Sequence, residues 1–165
     1  MNAITISNGY RPGALGKIVE LHGVYYSRHW NFGLKFEAEI AAGLVEFLAR
    51  FDPAHDGFWL AMDGDRIVAS ITIDGSRRET DGAKLRWFIA DETYAGQGLG
   101  NRLMTEAMNF CRSKNFNRVY LHTIAGLHSA RRLYDKFGFK LVKEHPSETF
   151  GAPALEQLFE VFLTD

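Results

Sequence analysis

Three glycines at alternate positions, Gly96, Gly98 and Gly100, are spaced in a way that suits the binding of an anion. They follow an alternating apolar segment that ends at Ala90 and precede a helical pattern that starts at Leu99. Glycine lets backbone amides crowd around an anion, and the N-terminus of a helix adds partial positive charge. The spacing predicts a phosphate-binding loop, and a glycine-rich turn without a ligand is the alternative.

Two familiar phosphate-binding motifs do not match this loop. A Walker loop places Lys and then Ser or Thr after its last glycine, whereas Gly100 is followed by Asn101 and Arg102. A dinucleotide fingerprint has a third glycine three residues after a Gly-x-Gly pair, where this chain has Asn101 or Leu103. The loop therefore fits neither class, and a second motif is needed to assign it.

The composition is that of one globular domain, predicted to span residues 1–165. The chain has 46% hydrophobic and 24% charged residues, and no shift in composition marks a linker. Its 19 Lys and Arg and 20 Asp and Glu leave a net charge of −1, which does not attract the phosphate backbone of nucleic acid. We therefore expect no nucleic-acid partner.

Cysteine usage and hydropathy point to a reducing, aqueous compartment. Cys111 is the only cysteine, so an intramolecular disulfide is excluded. Residues 1–6 lack the basic and apolar regions of a signal peptide, and no apolar run approaches the roughly 20 residues that cross a bilayer. These features predict a cytoplasmic protein without a membrane partner.

Hydrophobic periodicity predicts a mixed α/β order of one strand, two helices, three strands, a helix, a strand, a helix and two strands. An Asp-Gly turn at Asp63-Gly64 predicts a hairpin between the first two of the three central strands. Three sets of side chains are each predicted to share one face: Ile67, Ala69, Ile71 and Ile73; Leu85, Trp87 and Ile89; and Leu99, Leu103, Ala107, Phe110 and Cys111.

A second motif follows the glycine loop. Residues 130–139, from Ala130 to Phe139, begin 30 residues after Gly100 and include Tyr134 and the Phe137-Gly138 pair. Together with residues 94–100, they resemble the two motifs of the GCN5-related N-acetyltransferase (GNAT) family in content and separation. The resemblance covers residues 58–139.

The resemblance implies a fold and a cosubstrate. The expected fold is α/β, a mixed, mostly antiparallel central sheet that splays open between its fourth and fifth strands and is flanked by about four helices. The cleft between those strands would hold acetyl-coenzyme A (acetyl-CoA), with no metal. The backbone of the fourth strand would pair with the pantetheine arm, and the amides of the glycine loop would cradle the pyrophosphate. The implied cofactor-binding residues are Phe88, Ile89, Ala90, Gly96, Gln97, Gly98, Leu99, Gly100, Asn101 and Arg102.

The resemblance also implies a reaction, the direct transfer of acetyl from acetyl-CoA to a primary amine of a small molecule or protein in a ternary complex. Tyr134 matches the general acid of the family, and a half-buried structural aromatic is the alternative. His122 occupies a position where some members carry a catalytic base, and its ordinary pKa near 6.5 suits proton transfer. A structural histidine is the alternative, and Glu37, Asp91 and Glu92 compete as bases.

The amine acceptor is unknown, and its pocket is expected at the junction of the first two helices. An aromatic and basic cluster there would either bind the acceptor or pack as core and rim. His22 and His29 lie two turns apart on one helix, which is not the spacing of metal ligands, so no metal site is predicted. The cluster consists of Tyr25, Tyr26, Arg28, His29, Trp30 and Phe32.

Two departures from the family pattern keep a second function open. Many members have Arg or Gln at the position of Ala95 and Asn at the position of Leu127. Loss of these contacts would suit a non-catalytic domain that binds or senses an acyl-CoA. Tyr134 favours the enzyme, because a pure binder has no need of a phenol beside the sulfur.

Similarity outside the two motifs extends to acetyltransferase domains fused behind winged-helix regulators. It rests on His22-Gly23, Tyr25-Tyr26 and the segments 36–38 and 51–53. The 165 residues contain no winged-helix segment, so the resemblance implies the version without the regulator. In the family the last two strands often pair between subunits, which makes a homodimer a further expectation.

Overall fold

The computed structural model describes residues 3–163, and its elements follow the predicted order. A single 3-10 turn, Glu92–Tyr94, precedes the glycine loop. The strands are β1 (Ile4–Asn8), β2 (Gly57–Asp63), β3 (Arg66–Asp74), β4 (Ala83–Ala90), β5 (Arg118–Ile124), β6 (Lys140–Ser147) and β7 (Ala154–Phe162), and the helices are α1 (Ala14–Trp30), α2 (Leu34–Ala49), α3 (Leu99–Ser113) and α4 (His128–Lys136).

The seven strands form one sheet in the order β1-β2-β3-β4-β5-β7-β6. Every neighbouring pair is antiparallel except β4 and β5, which are parallel. These two strands are joined only at Ala83 opposite Val119 and Lys84 opposite Tyr120, and beyond those pairs they separate. The predicted fold class, with a split between the fourth and fifth strands and four flanking helices, is confirmed.

A β-bulge at Trp87 redirects β4 next to the split. Between two successive pairs with β3, β4 has one residue more than its partner, and Trp87 adopts a φ of 46°. The Ser70 hydroxyl donates a 2.7 Å hydrogen bond to the Trp87 carbonyl. The prediction that Leu85 and Trp87 share a face is wrong, because the bulge turns Trp87 toward α1 and α2 while Leu85 packs against the α3 side.

A second register shift corrects the prediction for β3. Val68 has no direct partner on β2, so the alternation of side chains changes phase at this residue. Ile67 therefore packs in the cluster under α1 and α2, whereas Ala69, Ile71 and Ile73 pack in the cluster under α3. The predicted single face for these four residues is wrong at Ile67.

Helices cover both faces of the sheet. The inner face of α3 buries the residues that its periodicity predicts, including Leu103, Ala107 and Cys111, against β2, β3 and β4. Burial raises the pKa of the Cys111 thiol to about 12, so this cysteine is a packing residue at neutral pH. On the other face, α1 and α2 pack through Ile18, Leu44 and other buried residues. Within residues 3–163, no helix is both long and apolar enough to cross a membrane.

The packing of α2 makes Phe47 a test of the core under α1 and α2. Phe47 is fully buried, with ring centroids 5.5 Å from Trp87 and 5.6 Å from Phe51. We expect Phe47→Ala to lower the free energy of unfolding by about 3–5 kcal/mol, because it removes buried surface and leaves a cavity. Val45→Ala is the matched control, since Val45 is 53% exposed on the same helix, and its effect should stay within about 0.5 kcal/mol. Equal urea-denaturation midpoints for the two variants would contradict this account of the core.

Candidate active site

The split between β4 and β5 opens into a cavity of about 330 Å³. The cavity begins between α1 and α2 on one face of the sheet and reaches Tyr134 of α4 on the other, so it passes through the sheet. Only the divergence of β4 and β5 leaves room for such a passage. Four aromatic side chains form much of its wall: Tyr26, Phe32, Phe36 and Phe150.

Tyr134 lies where the cavity reaches α4. Its ring is buried, with centroids 6.5 Å from Phe88, 6.0 Å from Phe139 and 5.6 Å from Phe159. Burial raises the pKa of the Tyr134 phenol, and a hydrogen bond with the Thr123 side chain only partly opposes this. The phenol is therefore protonated at neutral pH and is equipped to donate a proton.

His122 of β5 also lines the cavity. Its ring makes an edge contact with Tyr120 at a centroid distance of 5.9 Å. His122 is exposed at the cavity surface, where partial desolvation and the nearby Lys84 ammonium lower its pKa and the Glu156 carboxylate opposes them only in part. The imidazole is therefore neutral at pH 7 and is equipped to accept a proton.

None of the three competing bases lines the cavity. Glu37 lies on the outer side of α1 and α2, where its carboxylate would clash with a Cβ added at Gly23, and it lines a separate surface depression. Asp91 accepts hydrogen bonds from the Thr93 amide at 2.9 Å and the Thr93 hydroxyl at 2.8 Å. Asp91 therefore caps the 3-10 turn before the glycine loop.

The third competing base, Glu92, is held by two residues of the expected acceptor cluster. Its carboxylate accepts hydrogen bonds from Arg28 at 2.9 Å and His29 at 2.7 Å. Arg28 and His29 thus tie α1 to the segment before the glycine loop, and Tyr25 packs beside His29 on the same helix. None of these three residues lines the cavity. Trp30 packs against Gly126. Of the six cluster residues, only Tyr26 and Phe32 line the cavity.

His22 and His29 are kept apart by their hydrogen bonds. Nδ1 of His22 donates to the Ile18 carbonyl at 2.8 Å, and burial lowers the pKa of His22 to about 4. His29 binds Glu92 on the exposed side of α1. In the part of the chain that the structure describes, no group of three or more His, Cys, Asp and Glu residues is arranged to hold a metal ion.

Sequence reasoning missed four charged residues that line the cavity: Glu39 of α2, Lys84 and Arg86 of β4, and Glu156 of β7. Charged residues that alternate with apolar ones in a strand ordinarily face solvent. The sequence pattern therefore did not identify Lys84 and Arg86 as residues of the site. The split turns this face of β4 into a cavity wall.

Arg86 is anchored by its neighbours. Arg86 donates a 3.2 Å hydrogen bond to Asp74, and its guanidinium lies 4.1 Å from the Trp87 ring centroid. Asp74 also accepts a 2.7 Å hydrogen bond from Arg50. Burial by itself would raise the pKa of Asp74, but hydrogen bonds from Arg50 and Ser76 outweigh it and hold this pKa at about 2. The ionised carboxylate fixes Arg86 at the edge of the cavity.

The glycine loop presents free backbone amides at the start of α3. Gly96 and Gly98 have φ values of 78° and 76°, a left-handed conformation that favours glycine, and Gly98 is the N-cap of the helix. The first helical amides, from Leu99 to Asn101, have no partner within their own helix. The amide of Arg102, one of the predicted binding residues, donates to the Gly98 carbonyl at 3.1 Å, so it is not among the free amides of the loop.

Side chains around the loop differ in part from expectation. Arg102, a predicted binding residue, directs its guanidinium to the Ile4 carbonyl of β1 at 3.0 Å. Lys136 of α4, which sequence reasoning missed, lies with its Nζ 2.5 Å from Asn101 Oδ1 and brings a cation beside the first turn of α3. Gly100 allows close packing, since a Cβ there would lie 2.7 Å from Leu133 of α4.

The predicted pantetheine-binding edge is the side of β4 that faces the split. The Asp91 amide donates to the Val68 carbonyl of β3 at 2.8 Å. Backbone groups alternate in direction along a strand, so those of Ala90 point away from β3 and into the split. Phe88 lines the cavity, and Ile89 is paired with Ser70 of β3.

The two departures from the family pattern have structural roles. Ala95 ends the 3-10 turn, and its amide donates to the Glu92 carbonyl at 3.1 Å. Leu127 is the N-cap of α4, without a side-chain cap, and packs against the cluster that contains Phe32 and Phe36. Neither side chain supplies a polar group to the cavity.

A model of the acetyltransferase (GNAT) family matches residues 16–139, which is most of the chain. The chain therefore belongs to this family, and the resemblance predicted from the two motifs is confirmed.

Two curated relatives match part of the chain. N-acetylaspartate synthetase of Danio rerio is 29% identical over 112 residues, which are 65% of this chain and 39% of that protein. The protein of the same name from Xenopus tropicalis is 28% identical over 105 residues, 62% of this chain and 38% of its own length. The chain thus spans about two fifths of the length of these relatives.

Solved structures share the fold over nearly the whole chain. An acetyltransferase from Streptococcus agalactiae has a TM-score of 0.77 at 19% identity, covering 99% of this chain and 100% of that one. A structure from Salmonella typhimurium, determined with its cofactor acetyl-CoA, has a TM-score of 0.74 at 16% identity, covering 99% and 96%. At these identities the likeness extends to the fold alone.

The Asp74 site predicts a pH-dependent contribution to stability. Its folded pKa of about 2 lies below the ordinary 3.8, so the stabilisation is fully present above pH 3.8 and is lost as pH falls through about 2. We expect Asp74→Asn to destabilise the protein at pH 7, and the difference from wild type in unfolding free energy to shrink between pH 4 and pH 2.5. Urea denaturation at several pH values measures this difference.

The matched control is Asp81→Asn, because Asp81 forms an exposed ion pair with Arg77 at 2.9 Å. Exposed pairs contribute little, so its effect should be within about 1 kcal/mol at every pH. A gap between Asp74→Asn and wild type that stays constant down to pH 2.5 would show that the Asp74 carboxylate does not act through its charge.

Proposed function

We propose that the protein transfers an acetyl group directly from acetyl-CoA to the primary amine of a small molecule in a ternary complex. The observation that carries the proposal is the passage through the sheet, because it has His122 and Tyr134 on its walls and extends from the α1 and α2 side of the sheet to α4. Two substrates that enter from opposite faces would meet inside it. No covalent acetyl-enzyme is needed, and the thiol of Cys111 is buried away from the cavity.

The residues around the split fit acetyl-CoA. The left-handed Gly96 and Gly98 and the free amides from Leu99 to Asn101 suit the pyrophosphate. The backbone of Ala90 faces the split, where an extended pantetheine arm would form strand-like hydrogen bonds. The side chain of Tyr134 then lies at the end of this path, where the thioester sulfur belongs.

The proposed chemistry assigns one proton transfer to each titratable group. The amine nitrogen forms a bond to the carbonyl carbon of the thioester, and the carbon–sulfur bond breaks. Neutral His122 takes the proton that the amine loses, directly or through water, and the Tyr134 phenol donates its proton to the departing thiolate. The products are the N-acetylated amine and free CoA, and solvent restores both protonation states.

Two observations favour a small molecule over a protein as acceptor. The cavity of about 330 Å³ is at the lower end of the range for small-molecule sites, and aromatic rings from the α1–α2 junction and the β6–β7 loop narrow it. Two relatives bear the name N-acetylaspartate synthetase, which denotes a small N-acetylated product. Both observations support a compact amine.

The first test combines calorimetric titration with acetyl-CoA and thiol release against a panel of amines. We expect Tyr134→Phe to bind acetyl-CoA within about twofold of wild type and to lower kcat by about 100-fold, because general acid catalysis typically contributes 10²–10⁴-fold. Tyr10→Phe is the control, since Tyr10 is 62% exposed and lies outside the cavity.

Turnover by Tyr134→Phe at the wild-type rate would exclude the phenol as the acid. Binding of acetyl-CoA without thiol release for any amine would favour the alternative, a non-catalytic domain that binds or senses an acyl-CoA. That alternative draws its support from Ala95 and Leu127, which supply no polar contact.

The proposed role of His122 as the base predicts that kcat/KM falls on the acid side of the pH–rate profile. A base must be neutral to act, so kcat/KM should fall as pH falls through the pKa of His122, which is lowered from the ordinary histidine value by desolvation and the Lys84 charge. We expect His122→Gln to lower kcat/KM by about 100-fold near neutrality and to remove this limb. His128→Gln, at the exposed start of α4, should keep the limb. An unchanged profile in His122→Gln would assign the base to another group.

A further inference from the structure

Lys84 is a cation inside the cavity that the proposed chemistry leaves without a role. It forms the last pair between β4 and β5, opposite Tyr120, and its side chain lines the cavity at the apex of the split. In the part of the chain that the structure describes, Lys84 makes no ion pair, although Arg50 and Arg86 nearby share Asp74. A half-buried ammonium without a counter-ion is unfavourable, so this position favours an anionic ligand.

Arg86 strengthens the positive character of the same wall. Its guanidinium is held by Asp74 on one side and by the Trp87 ring on the other, and it lines the same cavity as Lys84. Burial and the charge of Arg86 both lower the pKa of Lys84, and Asp74 offsets them only in part. Among the described residues of the β4 wall, Lys84 is thus a cation without an ion-pair partner, beside Arg86, which is already paired with Asp74.

The facing walls carry the opposite charge. Glu156 of β7 and Glu39 of α2 line the cavity across from β4. The Glu156 carboxylate lies 3.6 Å from the His145 ring. Its negative charge acts to raise the pKa of His122, which lies between the two walls. An ammonium group entering the cavity would therefore be drawn toward Glu156 and His122, and a carboxylate toward Lys84.

We propose that the acceptor is a small amine that carries a carboxylate, such as an amino acid, and that Lys84 binds this carboxylate and sets the specificity. The inference rests on the proposed function and names its substrate class. Binding the carboxylate on the β4 wall would turn the amine toward His122, the group that must receive its proton. Lys84 acts by contact with the acceptor and takes no part in proton transfer.

The test uses paired probes that differ by a single carboxylate. L-alanine is compared with L-alaninamide, and L-aspartate with L-asparagine, by thiol release from acetyl-CoA. For each probe the ratio of wild-type to variant kcat/KM is measured, because this ratio cancels the different basicities of the amines. Binding of acetyl-CoA is measured separately by calorimetric titration.

We expect Lys84→Met, which keeps the length of the side chain but removes its charge, to raise KM for at least one carboxylate probe by about 10–100-fold. L-alaninamide should change by less than about threefold, and the Kd for acetyl-CoA should not change. Lys84→Arg should recover part of the loss, which separates the charge from the fold. Lys35→Met is the control, because Lys35 is an exposed lysine of α2 outside the cavity.

Equal losses for the carboxylate probe and its amide, or no loss for either, would overturn the inference. So would a wild-type preference for L-alaninamide over L-alanine that Lys84→Met leaves unchanged. These outcomes leave the acetyltransferase activity intact, so they reject the substrate class without rejecting the proposed function.

Absence of thiol release from every probe, with acetyl-CoA bound, would instead count against the proposed function. Direct titration of L-alanine and L-aspartate into wild type and Lys84→Met then decides the inference. Binding to wild type that is lost in the variant supports a carboxylate site at Lys84, and no binding of either amino acid to wild type overturns it.

Discussion

Only two residue pairs join β4 to β5, and the rest of the site depends on the separation that follows. The bulge at Trp87 turns β4 away from the path that continued pairing would need, and the Ser70 hydroxyl holds the carbonyl of the bulged residue. A closed sheet would bury the backbone of Ala90 in a ladder and place a wall between His122 and Tyr134. The open sheet leaves both a strand edge and a passage.

Ion pairs around Asp74 fix the positions of charged side chains at the edge of the passage. Asp74 stays ionised because Arg50 binds it, and the same carboxylate holds Arg86 at the cavity edge. Within residues 3–163 Lys84 makes no ion pair, while Glu156 lies on another wall of the cavity. Positive and negative walls on either side of His122 give the cavity a direction along which a zwitterion would align.

Elements and motifs that depend on neighbours in sequence were predictable. The glycine loop, the start of α3 at Leu99 and the inner face of that helix follow from local periodicity and from the φ values that glycine permits. The resemblance between residues 94–139 and the GNAT motifs, together with the family match, extended this to the sheet and its split. The predicted faces were wrong at Ile67 and Trp87, because a bulge changes the alternation of side chains along a strand and no distinctive residue type marks its position.

By itself, the sequence determined the order of the elements, the glycine loop before α3 and the position of Tyr134 on the last helix, since each depends on residues a few positions apart. Tertiary structure alone decided which charged residues share the cavity. Lys84, His122 and Glu156 come from β4, β5 and β7 and are brought together by strand pairing across long stretches of chain. It also decided that Arg28 and His29 bind Glu92 instead of an acceptor, because that contact joins α1 to the segment before the glycine loop, more than sixty residues later. Local sequence patterns do not predict such contacts, because the contacts form only when the packed elements determine which side chains face the same space.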